Sequence, residues 1–213
     1  MVCWVAVSRV GFRRPEVVFA AAAVTSYALG DTYYTAVQAM TGSVPFPSAG
    51  DVAYLAFCVL MMAALIAAVR GHTRGLASSV WLDAAVGSLG AAAVLAVVLR
   101  PVLDSATAGP QSLATAVAVA YPMLDLMLVA TIAGIAALRG VRVGQRWALL
   151  IAGLLAFTAA DVVYGLQVTA GTYVVGTPLD AGWAIGLALV AMWVNSTASV
   201  SYTHLTLPTN REV

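Results

Sequence analysis

Charged residues are scarce in this chain, and lysine is absent altogether. Only 9% of the 213 residues are Asp, Glu, Lys or Arg, whereas 62% are hydrophobic. The mean hydropathy is +0.95. A soluble domain usually has about a quarter of its residues charged, so this composition excludes a water-soluble globule and predicts a membrane protein. The formal net charge of +1 gives no sign of a nucleic-acid partner, and none is expected.

The sequence also lacks the patterns of metal sites, disulfide frameworks and common hydrolases. Its two cysteines, Cys3 and Cys58, are far apart and form no CxxC or Cys/His zinc spacing. There is no HExxH, GxxxxGK[ST] or GxSxG motif. His72 falls in a predicted link, and His204 falls in a polar tail. We therefore predict no metal, no cofactor and no catalytic residues, and we do not expect these residues to form an enzyme.

Six apolar segments are long enough, or nearly so, to cross a bilayer, which takes roughly 20 residues. They are Val17–Met40, Val52–Val69, Ser79–Leu99, Ala114–Leu138, Trp147–Val168 and Leu179–Val194. Hydrocarbon requires that backbone groups bond within each segment, so each is predicted to be a helix. Short links favour antiparallel neighbours. The predicted fold class is all-α, a six-helix transmembrane bundle over residues 17–197.

Arginines mark one side of the predicted bundle. They precede the first span and cluster in the second and fourth links, whereas the first and fifth links have none. The positive-inside rule therefore places both chain ends in the cytoplasm, at the inner membrane of a bacterium. Residues 1–16 are expected to be a cytoplasmic link or the end of a truncated helix. Residues 198–213 resemble translated sequencing-adapter DNA and are expected to form a non-native or disordered tail.

A polar pattern occurs twice in the chain, in residues 27–54 and in residues 157–183. Each copy has two aspartates and two aromatic residues at nearly the same spacing. The first set is Asp31, Tyr34, Asp51 and Tyr54, and the second is Asp161, Tyr164, Asp180 and Trp183. Both copies run from inside to outside and back, which predicts a parallel internal repeat.

Each of these carboxylates requires an explanation, because an Asp near the middle of a span costs about 2.5–3.5 kcal/mol. Asp31 and Asp161 lie in the outer halves of their spans. They would either line an outer-half pocket for a cation or small ligand, with the aromatic rings, or hydrogen-bond helix to helix. Asp51 and Asp180 begin the following spans, where helix capping is favoured over ligand binding.

Two features lie outside this repeat. Asp125 follows Pro122 in span four, either beside a kink that lines a cavity or in the first turn of a shorter helix. It is a further candidate for ligand binding. Gly182 and Gly186 form a GxxxG pattern on span six, which is typical of close helix packing and is also found in homodimers.

Five segments, in this order, resemble the N-terminal membrane module of actinobacterial diguanylate cyclase/phosphodiesterase proteins. They are PFPSAGDVAYL (Pro45–Leu55), WLDA (Trp81–Ala84), AYPMLDLMLV (Ala120–Val129), ADVVYG (Ala160–Gly165) and GTYVVGTPLDAGW (Gly171–Trp183). The resemblance implies a sensor or anchor joined to a cytoplasmic GGDEF domain, often with an EAL domain. No such segment occurs here, so an output domain would lie in sequence that is missing.

The expected function is therefore that of a signal-input or anchor module in cyclic-di-GMP signalling. A small molecule or cation from outside would bind the outer-half Asp/Tyr pocket and change helix packing, which requires different affinities for two packings. One alternative is a small ion-coupled transporter. Another is a passive anchor or scaffold that dimerises through its small residues.

Overall fold

The structure is a computed structural model that describes residues 2–70, 78–110, 112–139 and 144–206. This part of the chain forms α-helices and one 3-10 turn at Gly11–Arg13, and it contains no strand. The helices are α1 (Val2–Val10), α2 (Pro15–Thr41), α3 (Ala49–Arg70), α4 (Ser78–Val98), α5 (Arg100–Thr107), α6 (Leu113–Arg139), α7 (Gln145–Thr169) and α8 (Asp180–Thr206). The all-α fold class is confirmed.

Five helices within the described residues are long and apolar enough to cross a membrane, namely α3, α4, α6, α7 and α8. They match predicted spans two to six and indicate a membrane protein. Helix α2 contains the first predicted span and has 27 residues. It is less apolar than the other five, because its second half carries Asp31, Gln38 and several threonines. A bundle of six spans therefore remains a prediction.

Three helix pairs pack antiparallel, as their residue contacts show. In α2 and α3, the Ser26 hydroxyl donates to the Ala53 carbonyl at 2.8 Å, and Gly30 faces the ring of Tyr54. Helices α7 and α8 form the second pair, and α4 and α6 form the third. Small residues allow each close approach, because a backbone without large side chains can be reached by its neighbour.

Helix α6 connects these pairs, because it contacts α3, α4 and α7. The core is formed by apolar side chains of α2, α3, α6, α7 and α8, including the fully buried Phe57, Met61, Leu128 and Leu154. Helix α4 lies at the edge of the bundle, and its Leu89 and Val97 are 71% and 75% exposed. Lipid would cover this face in a bilayer. The short helix α5 packs on α6 and α7.

The two ends of the described chain pack together. Residues 2–10 form α1, which contacts α2 and α8, and its Cys3, Ala6 and Val7 are buried. The Trp4 indole donates to the Thr25 hydroxyl at 2.8 Å, so α1 runs back along α2. Helix α8 continues to Thr206, so residues 198–206 of the predicted tail are helical. Residues 207–213 lie outside the described residues, as does His72.

Candidate functional site

Two carboxyl groups meet between α6 and α7. Asp125 of α6 is 5% exposed, and its carboxyl group lies within hydrogen-bonding reach of the carboxyl group of Asp161 on α7. The indole Nε1 of Trp183 on α8 donates to Asp161 Oδ1 at 2.7 Å. Three apolar helices therefore meet at one titratable pair.

The carboxyl pair has no cationic partner in the described part of the chain. The ion pairs found there are Arg14–Glu16 and Arg100–Asp104, and both lie elsewhere. Two carboxylates in contact repel each other, and burial disfavours the charge on each. Both cannot stay ionised without compensation, so the pair must hold a proton or a cation between its oxygens.

Asp51 caps α3 and also joins it to α6. Its Oδ2 accepts the Ser48 backbone N–H at 2.6 Å and the Ser48 hydroxyl at 2.9 Å. Asp51 is the third residue of α3 and Ser48 precedes the helix, so the bond from the Ser48 N–H to the Asp51 side chain is one half of a capping box. Its Oδ1 accepts the Tyr121 hydroxyl of α6 at 2.7 Å. Asp51 therefore has a structural role at the outer end of the bundle.

Asp180 fastens the link between α7 and α8. Its Oδ2 accepts the Gly176 backbone N–H at 2.6 Å, and its Oδ1 accepts the Tyr173 hydroxyl at 3.1 Å. Burial raises the pKa of the Tyr173 phenol, and its hydrogen bond to the Asp180 carboxylate raises that pKa further. The Asp180 contacts thus hold the preceding link, and ligand binding by Asp180 stays a prediction.

Aromatic rings surround the carboxyl pair in two groups. Tyr27 packs against Tyr54, Phe57 and Phe157, with ring centroids 5.1, 5.5 and 5.3 Å away. The Tyr54 ring also covers Gly30, where an added Cβ would lie 2.9 Å from it. Edge-to-face packing of this kind stabilises a contact beyond the area that it buries.

The second aromatic group lies over the α7–α8 side of the site. Tyr164 packs edge-on against Trp183 and Tyr173, with centroids 5.6 and 4.7 Å apart. Tyr164 is 39% exposed, so it forms the outer edge of the group. Tyr34 is half-buried and lies close to Tyr54 and Tyr164.

Asp31 does not join the carboxyl pair, although the repeat predicted that it would match Asp161. The Asp31 side chain is exposed on α2. Helix α7 packs against both α6 and α8, which covers Asp161. Helix α2 packs on α3, α1 and α8, and the face that carries Asp31 remains uncovered. The partner of Asp161 is instead Asp125, which the sequence placed apart from the repeat.

The glycines of α8 pack against α7 within the same chain. An added Cβ at Gly182 would lie 2.9 Å from Ala160 Cβ, and one at Gly186 would lie 2.8 Å from the Gly153 carbonyl oxygen. This surface is therefore used inside one molecule. The GxxxG pattern does not provide the interface of the predicted homodimer, which would need another surface.

One cavity of about 570 Å³ lies at the opposite, arginine-bearing end of the bundle. It is lined by the starts of α2 and α7, the end of α3 and the second half of α8, including Trp147 and Trp193. It is therefore distinct from the predicted outer-half pocket. The carboxyl pair lies outside this cavity, with Asp125 buried and Asp161 half-buried.

Some residues of the site were not singled out from the sequence. They are Tyr27, Tyr121, Thr158 and Tyr173. A signal existed for two of them, because Tyr121 lies four residues before Asp125 and Thr158 lies three before Asp161. Such spacing places polar groups on one side of a helix.

Comparison of the chain with protein-family models, with curated proteins and with solved structures found no match. The resemblance to membrane modules of cyclic-di-GMP signalling proteins therefore rests on the sequence motifs alone.

Proposed function

We propose that this chain is a membrane-embedded signal-input module, in which the occupancy of the Asp125–Asp161 pair controls how α6 packs against α7 and α8. The observation that supports this function is the carboxyl pair itself, of which Asp125 is buried and Asp161 is half-buried. It has no cationic partner among the described residues, and it joins three helices. A bound proton or small cation from outside would be the signal.

The energy of such a switch follows from the charges. Two unit charges about 4 Å apart repel by about 4 kcal/mol at an effective dielectric constant of about 20. Removing the shared proton or cation would impose a penalty of this order on the packed state. A penalty of about 4 kcal/mol changes a two-state equilibrium by roughly a factor of 10³. This is sufficient to convert a mostly packed site into a mostly separated one.

Helix α8 is the element that would carry the change inward. Trp183 contacts the pair near the start of α8, and Trp193 and Val194 are buried farther along the same helix. Gly182 and Gly186 hold α8 closely to α7, so the two helices would move as a unit. An output domain following α8 would receive this movement, as the resemblance to cyclic-di-GMP signalling proteins implies.

The same proposal includes α2 as a sixth span and both chain ends on the cytoplasmic side of the inner membrane. The arginines before α2 and in the links after α3 and α6 support this orientation. A parallel repeat is supported by Asp51 and Asp180, since each accepts a backbone N–H from the preceding link and a tyrosine hydroxyl.

An ion-coupled transporter has less support. Transport requires a path from the pair to the inner side, and Met61, Leu128 and Leu154 are buried in the core. A passive anchor would need no buried carboxyl pair at all, because each intramembrane Asp is costly.

The experiment is a fusion of residues 1–199 to the soluble catalytic domain of a diguanylate cyclase, with cyclic-di-GMP output measured in proteoliposomes at external pH 5 to 9. The Asp161→Asn and Asp125→Asn variants should lose the dependence of output on external pH. The matched control is Asp31→Asn, an exposed carboxylate on α2, which should respond as the parent does. Equal output from all four proteins at every pH would refute sensing and leave an anchor.

A further inference from the structure

Thr158 of α7 has a buried hydroxyl group without a hydrogen-bond partner among the described residues. Its side chain is nearly inaccessible, since the residue is 3% exposed. Other helical threonines, such as Thr25, Thr131 and Thr169, donate to the carbonyl four residues earlier. Thr158 does not make this bond, so its oxygen is available to a group that the protein does not supply.

Thr158 lies at the depth of the carboxyl pair. It is 11 residues before the end of α7, and Asp125 is 12 residues after the start of α6. Both helices rise about 1.5 Å per residue, and these two ends lie on the same side of the bundle. Asp161 is three residues farther out on the same side of α7, so the Thr158 hydroxyl lies within about one helical turn of the pair.

Oxygen atoms from two carboxyl groups and one hydroxyl group thus lie in one region between α6 and α7.

We propose that the oxygens of Asp125, Asp161 and Thr158 bind a dehydrated alkali-metal cation, with Na⁺ as the preferred ion, in exchange for the proton that the carboxyl pair otherwise shares. This inference rests on the proposed function, and it names the signal. Carboxylate, hydroxyl and carbonyl oxygens are ligands for hard cations. A divalent ion such as Ca²⁺ in place of one proton would change the net charge of the buried site, so a monovalent cation is the better match.

The exchange conserves charge. The pair with one shared proton carries one negative charge, and the pair with one Na⁺ and no proton carries the same charge. One Na⁺ enters, and one H⁺ leaves to the external water. A buried site favours such an exchange because the net charge in the low-dielectric interior does not change. A shared proton would leave Thr158 unpaired, whereas Na⁺ would accept its oxygen as a ligand.

Other ionisable groups around the pair do not alter this exchange at neutral pH. The phenols of Tyr27, Tyr121 and Tyr164 and the thiol of Cys58 face it from α2, α6, α7 and α3. Phenols and thiols are neutral at pH 7. The Asp51 carboxylate lies farther out on α3, where Ser48 and Tyr121 hold it.

The test is calorimetric titration of NaCl into the purified full chain in nanodiscs, in choline chloride at constant ionic strength and at pH 6, 7 and 8. Because Na⁺ and the proton compete for the same oxygens, the apparent Kd should be higher at pH 6 than at pH 8. Thr158→Val should raise the Kd about tenfold, and Thr158→Ser should restore it. The matched control is Thr131→Val, whose hydroxyl group already bonds to Met127.

Asp161→Asn should abolish Na⁺ binding, with thermal melting to show that the variant is folded. The inference would be overturned if the wild-type protein gave no Na⁺ response at any pH, or if Thr158→Val and Thr131→Val had the same affinity. A melting temperature that depends on pH but not on Na⁺ would mean that the pair takes only a proton. That result would refute the cation and leave the proposed function standing.

Discussion

The Gly186→Ala substitution tests the close packing of α7 and α8 that positions Trp183 beside Asp161. An added Cβ at Gly186 would lie 2.8 Å from the Gly153 carbonyl oxygen and 3.0 Å from the Phe157 backbone nitrogen. Ordinary van der Waals contact begins at 3.4 Å. Both of these atoms belong to the backbone of α7, so they cannot rotate away, and the two helices must separate.

The expected cost follows from two opposing terms. Overpacking of this kind costs about 1–3 kcal/mol. The preference of a helix for Ala over Gly returns about 1 kcal/mol. The net loss should be up to about 2 kcal/mol, which corresponds to a fall in melting temperature of up to about 8 °C for a chain of this size.

The assay is thermal unfolding in detergent, followed by the near-ultraviolet signal of the tryptophans. Gly90→Ala on α4 is the matched control, because nothing lies within 4 Å of its added Cβ. This control should keep or raise the melting temperature. If Gly186→Ala melted at the same temperature as Gly90→Ala, the close approach of α7 to α8 would be refuted.

Two further predictions concern the tyrosine hydroxyls that hold carboxylates at the outer end. Tyr121→Phe removes the donor to Asp51 Oδ1 and should lower the free energy of unfolding by about 1–2 kcal/mol, because hydrogen bonds to charged groups are stronger than those between neutral groups. An unchanged denaturation midpoint would contradict the hydrogen bond between α3 and α6. Together with burial, the hydrogen bond from Tyr173 to Asp180 contributes to the raised pKa of Tyr173. It stabilises the fold fully at pH values below the ordinary phenol pKa of about 10, and this stabilisation is lost as the pH rises through the raised pKa. The melting temperature of the wild-type protein should therefore fall more between pH 8 and pH 11 than that of Tyr173→Phe, and parallel falls would show that the Asp180 contact does not stabilise the link.

Much of the secondary structure could be predicted from the sequence. Long apolar runs between arginine-bearing and arginine-free links predicted the helices that became α3, α4, α6, α7 and α8. Composition could do this because a hydrocarbon environment leaves a backbone segment little choice but a helix. Capping at Asp51 was predictable for a similar reason, since the contact with Ser48 lies within one turn of the chain.

The span count was harder to predict, because α2 mixes apolar and polar residues along its length. The length of its apolar run predicted α2 as the first span, and its crossing of the bilayer remains a prediction. Helix α1 packs on α2 and α8, and α8 extends to Thr206. The truncated helix or link at residues 1–16 and the non-native or disordered tail at residues 198–213 remain predictions.

The long apolar segments were enough to predict the spanning helices, and helical periodicity then gives the face and the depth of each carboxyl group. The packing of the helices, which the sequence leaves open, brings Asp161 to Asp125 and leaves Asp31 exposed. The physical reason is that helical periodicity fixes a side chain relative to its own axis. The neighbours that it meets depend on how helices rotate and pack, and contacts between distant residues such as Gly153 and Gly186 set that packing.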